Sequence, residues 1–234
     1  MEDPIVVYIY GREGSPGLYQ QELSDQLDRA DIRKLGVELP KFSWRLRILK
    51  TLEIARQYPD ETLIFVDAWD TLFLGTQAEV QTFPYDDAIT FAAGKVAYPD
   101  PLYAEYALKT QNEFTTPWRY LNSNPMAGRG KLIADAIQWG LDKGYGLPDD
   151  NADTQDKAGN VCERFYTKLY LESPFKVRLD GKCELAQIFL CSTPGDIELV
   201  AVGSRRIRNP RTESAPLFLH MNGGRRIDTR LFAP

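Results

Sequence analysis

The chain has 234 residues, 43% hydrophobic and 26% charged, with 33 Asp and Glu against 28 Lys and Arg and a formal net charge of −5. That length buries a full core, and one domain is expected over residues 1–224 with a tail at 225–234. The acidic balance, with no basic run longer than Arg205-Arg206 or Arg225-Arg226, excludes a nucleic-acid footprint and points to a small-molecule partner.

Ile5-Val6-Val7-Tyr8-Ile9-Tyr10 is a β-branched and aromatic run stopped by Gly11, and it predicts a buried strand. Behind Pro40, the spacing of Phe42, Leu46, Leu49 and Leu52 predicts a helix from about Lys41 to Arg56. Thr62 to Val66 follows as the second strand and Ala88 to Ala93 as the third. Leu132, Ile133, Ala136, Ile137 and Leu141 mark an amphipathic helix from Lys131 to Lys143, ended at Gly144. Residues 144–159 lack periodicity, hold Asp149, Asp150, Asp153 and Asp156, and read as a polar loop before a helix around Glu163 to Leu171. Short strands are expected at Lys176 to Leu179, Ile197 to Val202 and Pro216 to Leu219. Strands and helices thus alternate as in a three-layer α/β domain.

Cys162, Cys183 and Cys191 have neither metal-knuckle spacing nor the count of a disulfide framework, so free thiols are expected. No apolar run reaches the roughly 18 residues of a membrane span, and Met1-Glu2-Asp3-Pro4 carries no basic signal region. With no N-x-[ST] sequon in the chain, a soluble, cytoplasmic protein without a membrane segment is the default expectation.

The chemistry concentrates at two strand ends. Leu63-Ile64-Phe65-Val66 runs into Asp67-Ala68-Trp69-Asp70, and the C-terminal ends of strands are where open α/β sheets bind ligands. Two carboxylates three residues apart at such a corner suit a hard divalent cation that bridges nucleotide phosphates. The one histidine, His220, closes a second apolar run, Leu217-Phe218-Leu219, and is followed by Met221-Asn222-Gly223-Gly224. A glycine turn lets backbone N–H groups approach a phosphate, and an imidazole added to two acids shifts the metal toward manganese. The competing readings are local. Asp67 and Asp70 would cap a helix beginning at Thr71, His220 would be a satisfied core histidine, and Trp69 a core aromatic. Phe65 to Leu72 is also superficially like the phosphatase loop of haloacid dehalogenases, with its second acid displaced by one residue and Trp69 in its place.

Further segments stand in order along the chain: Phe91-Ala92-Ala93, Ala97-Tyr98-Pro99, Tyr120-Leu121-Asn122-Ser123, Asp153-Thr154-Gln155, Phe165 to Leu171, Leu179-Asp180, Ile188-Phe189, Arg206-Ile207-Arg208-Asn209 and His220-Met221-Asn222-Gly223. With the Asp67 corner, this order resembles the glycosyltransferase domain of the procollagen lysyl hydroxylase/glycosyltransferase enzymes and their free-standing relatives, over about residues 5 to 224. The resemblance implies a GT-A-type fold, three layers around a central, mostly parallel sheet, and a UDP-glucose or UDP-galactose donor. It implies Mn2+ or Mg2+ held by Asp67, Asp70 and His220, with Trp69 stacking on the uracil and Asn222 and Gly223 at the diphosphate. Lys41 falls at the family's basic residue near the phosphates, or is a solvated helix-start residue. Tyr98 takes a tryptophan's place on the loop over the donor. Asp153, Gln155 and Asp156, with Asn122, are expected near the sugar and the hydroxyl acceptor, which is a protein, a glycan or a small molecule. The pattern departs from the family at Thr154, within its Asp-Asp-Gln run, at Gly94, where an acid is usual, and at Asn124, where a glycine is. Those departures keep a nucleotide-sugar-binding domain without turnover as an alternative, beside the phosphatase.

Overall fold

The computed structural model describes residues 3–11, 19–40, 43–85, 87–97, 115–145, 161–190, 192–200 and 206–222. A six-stranded sheet runs in the order β2-β1-β3-β6-β5-β7. Its strands are β1 (Ile5–Gly11), β2 (Lys34–Leu39), β3 (Thr62–Asp67), β5 (Ile89–Gly94), β6 (Tyr120–Arg129) and β7 (Val177–Asp180). β1 pairs in parallel with β2 and β3, and β5 with β7, while β6 lies antiparallel to both β3 and β5. Five strands therefore end on one edge, which carries Gly11, Leu39, Asp67, Gly94 and Asp180. The expectation of a mostly parallel sheet in a three-layer α/β fold holds.

Side-chain alternation divides the core. On one face Ile5, Val7, Ile9, Leu63, Phe65 and Phe91 pack against the apolar sides of α2 (Trp44–Gln57), α4 (Gly130–Asp142) and α5 (Val161–Glu172). On the other, Val6, Ile64, Val66 and Ala127 meet α1 (Gln20–Arg29) and Val80 of α3 (Gln77–Thr82). A smaller sheet, β4 (Thr71–Phe73), β11 (Phe218–His220) and β8 (Ala186–Ile188), covers that second face through Phe73, Phe218 and Ala186. β9 (Glu198–Leu199) and β10 (Ile207–Arg208) pair antiparallel, and a 3-10 helix spans Pro194–Asp196. α4 approaches the end of α2 closely, because a Cβ on Gly130 would lie 2.0 Å from the Tyr58 carbonyl oxygen.

Several expectations shift. The helix expected from Lys41 begins at Trp44, where Ser43 caps it by accepting from the Leu46 N–H. Thr71 opens a strand rather than a helix, so Asp67 and Asp70 are not helix caps. The strand expected over Ile197 to Val202 narrows to Glu198–Leu199 among the described residues. The sequence pattern does not predict α1, β2, α3 and β6, nor the short strands β4, β8 and β10. The free cysteines are borne out at Cys162 and Cys183, both buried, while Cys191 and the expected tail lie outside the described residues.

β6 is the element that shapes the site. Its register against β5 jumps from Phe91↔Met126 to Ala92↔Asn122, so Ser123, Asn124 and Pro125 stand outside the ladder as a bulge. Both N–H groups of that bulge find partners: Ser123 donates to Glu163 Oε2 at 2.8 Å, and Asn124 donates to Asn122 Oδ1 at 3.2 Å. Asn122, Ser123 and Asn124 are all buried at the sheet edge as a result.

Candidate metal centre and donor site

The β3 corner presets the two acids. Asp67 ends the strand with Oδ1 accepting from the Trp69 N–H at 3.1 Å, a side-chain turn that points the carboxylate along the edge. Its Oδ2 accepts from Arg47 Nη1 at 3.0 Å. Arg47 sits on the buried side of α2, so an ion pair closes against the sheet with both partners largely out of water. Burial by itself would lower the Arg47 pKa, yet Asp67 first, with Cys162, Tyr166 and Asp70 after it, together outweigh burial and keep the guanidinium charged.

Strand pairing then brings the histidine in. β11 lies antiparallel to β4 with His220 opposite Thr71, and the Met221 N–H donates to the Asp70 carbonyl at 2.8 Å. His220 Nε2 consequently faces Asp70 Oδ1 at 3.0 Å. The other ring nitrogen, Nδ1, faces two oxygens, the Asn124 carbonyl at 2.9 Å and Asn122 Oδ1 at 3.2 Å. Two acceptors require the proton on Nδ1, which leaves Nε2 as the coordinating nitrogen. Burial would push the imidazolium pKa down, but Asp70 and then Asp67 raise it overall, so the pocket draws positive charge to Nε2.

One ligand atom from each of Asp67, Asp70 and His220 lies within 4.8 Å of the other two. That spread is about twice the ~2.0–2.4 Å bond of a divalent cation to oxygen or nitrogen. The donor set fits such an ion: two carboxylates and an imidazole whose second nitrogen is tied to a backbone carbonyl. Burial of His220 agrees with the core-histidine reading as far as solvent goes, but a ring aimed at a carboxylate is not an inert core side chain.

Trp69, between the two acids in sequence, is 44% exposed and is therefore not a core aromatic. Asn122 points its side-chain oxygen at His220 and the Asn124 N–H, behind the acids. Asn222 Oδ1 accepts from the Leu190 N–H at 3.0 Å, which ties the turn after β11 to the end of β8. Lys41, Tyr98, Asp153, Gln155, Asp156 and Gly223 lie outside the described residues. Three contributors were missed from sequence: Arg47, Asn124 and Glu163. Arg47 falls one position from the apolar Leu46 and Ile48, so its burial could be anticipated but not its partner. Glu163 stands two residues before Phe165, where a buried acid on a helix gives no local signal.

Five strand ends on one edge, with two acids and a histidine gathered there, make the ligand-binding edge of an α/β domain. Residues 42–232 match the family described as the PLOD GT domain, and the chain belongs to that family. Among curated proteins it is similar to procollagen-lysine,2-oxoglutarate 5-dioxygenase 2 of Mus musculus, 28% identical over 192 residues, and of Homo sapiens, 26% identical over 195. Each match takes in 78% of this chain and 23% of the relative, so the chain spans about a quarter of those proteins. Among solved structures, a glycosyltransferase involved in glycosylation of the major capsid of PBCV-1 superposes with a TM-score of 0.52 at 11% identity, covering 94% of both chains. The bifunctional glycosyltransferase WbbM gives the same score and identity over 94% of this chain and 46% of that one. These likenesses establish the fold. No helix among the described residues is long and apolar enough to cross a membrane. The dehalogenase-type phosphatase is set aside, since the family is a glycosyltransferase one.

Proposed function

We propose that the protein moves glucose or galactose from a UDP donor to a hydroxyl acceptor, and that Asp67, Asp70 and His220 hold the divalent ion, manganese by the mixed oxygen and nitrogen donor set. The observation that carries this reading is the meeting of three ligand atoms within 4.8 Å at the C-terminal edge of the sheet, beside an exposed Trp69. A bound divalent ion supplies positive charge to the departing diphosphate. The chain's own groups do the rest. Asn124 holds the imidazole proton on Nδ1 so that Nε2 faces inward, and Arg47 offsets part of the charge of the two acids. Trp69 offers a π-face for the uracil, and Asn222 and Gly223 the turn at the diphosphate. Lys41 and Tyr98 are assigned to the donor, and Asp153, Gln155, Asp156 and Asn122 to the sugar and its acceptor. A collagen-like acceptor follows from the relatives' name as procollagen-lysine enzymes.

UDP release from UDP-glucose and UDP-galactose, with and without Mn2+, tests the assignment, because water serves as a poor acceptor. Metal-dependent release that disappears in Asp67→Ala and His220→Ala supports it. One observation favours a second reading, donor binding without turnover. Ahead of Phe165-Tyr166-Thr167, Thr154 interrupts the run where the family carries Asp-Asp-Gln. Metal-dependent UDP binding without any sugar transfer would select that reading.

A further inference from the structure

We propose that Glu163 is a positioning residue for the metal centre, acting through the β6 bulge to fix the orientation of His220. The inference rests on the reading of Asp67, Asp70 and His220 as metal ligands. Ser123, Asn124 and Pro125 leave the β5 ladder, and a buried backbone N–H without a ladder partner needs another acceptor. Glu163 supplies it for Ser123, reaching from the first turn of α5 with Oε2 at 2.8 Å. The residues on either side of Ser123 are the ones that bond the imidazole: Asn122 through Oδ1 and Asn124 through its carbonyl, both to Nδ1.

The links form one path. Glu163 holds Ser123, Ser123 sets the turn between Asn122 and Asn124, and that turn fixes the ring whose Nε2 faces Asp70. A carboxylate is an expensive group to bury, and Glu163 is 6% exposed within a protein core. A helix residue serving helix stability alone would lie on the solvent side. Outer partners of metal-bound histidines typically alter metal affinity by about 10- to 100-fold when removed, and Glu163 is one step further out.

The length and the acceptor oxygen of the side chain matter here, and its charge does not. Glu163→Gln keeps both, since its amide oxygen accepts from the same N–H. Glu163→Asp keeps the charge but is shorter by one methylene and loses the contact, and Glu163→Ala loses everything. Calorimetric titration of the metal-free proteins with Mn2+ reads the outcome without reference to activity. Expected are wild-type affinity within about threefold for Glu163→Gln, and a weakening of about tenfold for Glu163→Asp and Glu163→Ala. On a His220→Ala background Glu163→Asp produces no further loss, because its effect passes through the ring. Thermal unfolding of the same metal-free samples reports any purely structural damage, and if Glu163→Ala does not fold, the Asp and Gln pair decides alone. Equal Mn2+ affinity in wild type and Glu163→Asp overturns the proposal, as does a loss that persists undiminished in the His220→Ala background. A wild type that binds no Mn2+ overturns instead the metal reading on which it rests.

Discussion

Asp67 and His220 meet at one point, yet they are held there by unlike means. Asp67 is fixed by the N–H of Trp69 two residues on and by Arg47 twenty residues back on the adjoining helix. His220 is fixed by Asn124, Asn122 and Asp70, which lie 96, 98 and 150 residues away in sequence. The carboxylate arm is largely a property of one strand–turn and the helix before it. The imidazole arm exists only once β11 has docked on β4 and the β6 bulge has closed on α5. Damage to β11, to the β6 bulge or to α5 should therefore reach the metal through the histidine, while damage to the carboxylate arm should be local and electrostatic.

The strongest way to break this contrast is Arg47→Ala. It leaves Asp67 facing inward without its partner, and removing one member of a buried ion pair costs about 3–5 kcal/mol. Urea unfolding of the metal-free protein should show that loss, and Mn2+ should restore part of it by replacing the missing positive charge. Destabilisation that Mn2+ leaves unchanged would place the Arg47 effect in packing rather than in the charge of the site.

On the imidazole side the corresponding probe is pH. Burial raises the Glu163 carboxyl from 4.5 to about 7, partly opposed by the Ser123 hydrogen bond, His220 and Arg47. The folded pKa exceeds the unfolded one, so the stabilisation is complete below about pH 4.5 and is lost as pH rises through about 7. At ~1.4 kcal/mol per unit the loss amounts to about 3 kcal/mol. Metal-free wild type should therefore lose stability across that window relative to Glu163→Gln, as followed by urea midpoints. Parallel pH profiles for the two proteins would show that Glu163 does not titrate there.

A control comes from outside both arms. Gly130→Ala places a Cβ 2.0 Å from the Tyr58 carbonyl oxygen, and overpacking of this kind costs about 1–3 kcal/mol. The folded variant should still bind Mn2+ with wild-type affinity, which calorimetry can check. Trp69→Ala should have the smallest effect on the fold, since the ring is 44% exposed. Its consequence should appear in UDP affinity, about tenfold weaker, in keeping with the ~1–3 kcal/mol of a base stacked on an aromatic side chain. Unchanged UDP affinity would remove Trp69 from the donor site.

The same contrast governs what the sequence makes legible. Asp67-Ala68-Trp69-Asp70 announces itself because an apolar strand runs straight into it, and His220 because Leu217-Phe218-Leu219 delivers a lone imidazole to a glycine turn. The support behind them is dispersed. β6 contains Asn122, Ser123, Asn124 and Pro125, a polar run without strand patterning, and a proline argues against a central strand unless a bulge accommodates it. α1 hides because its buried side is only Leu23, Gln26 and Leu27 on an otherwise polar helix. β4 and β8 are three residues each and owe their existence to pairing with β11. Glu163 is hidden beside the acids of the polar stretch at 149–156, because one buried acid on a helix leaves no periodic trace.

The measurement that bears most directly on the central claim is equilibrium binding of UDP to the purified protein, with and without Mn2+, in wild type and in Asp70→Ala and His220→Ala. With the donor held through the metal, UDP should bind wild type only when Mn2+ is present, and both variants should lose this binding while remaining folded. UDP binding that is indifferent to Mn2+, or that survives in both variants, would contradict it.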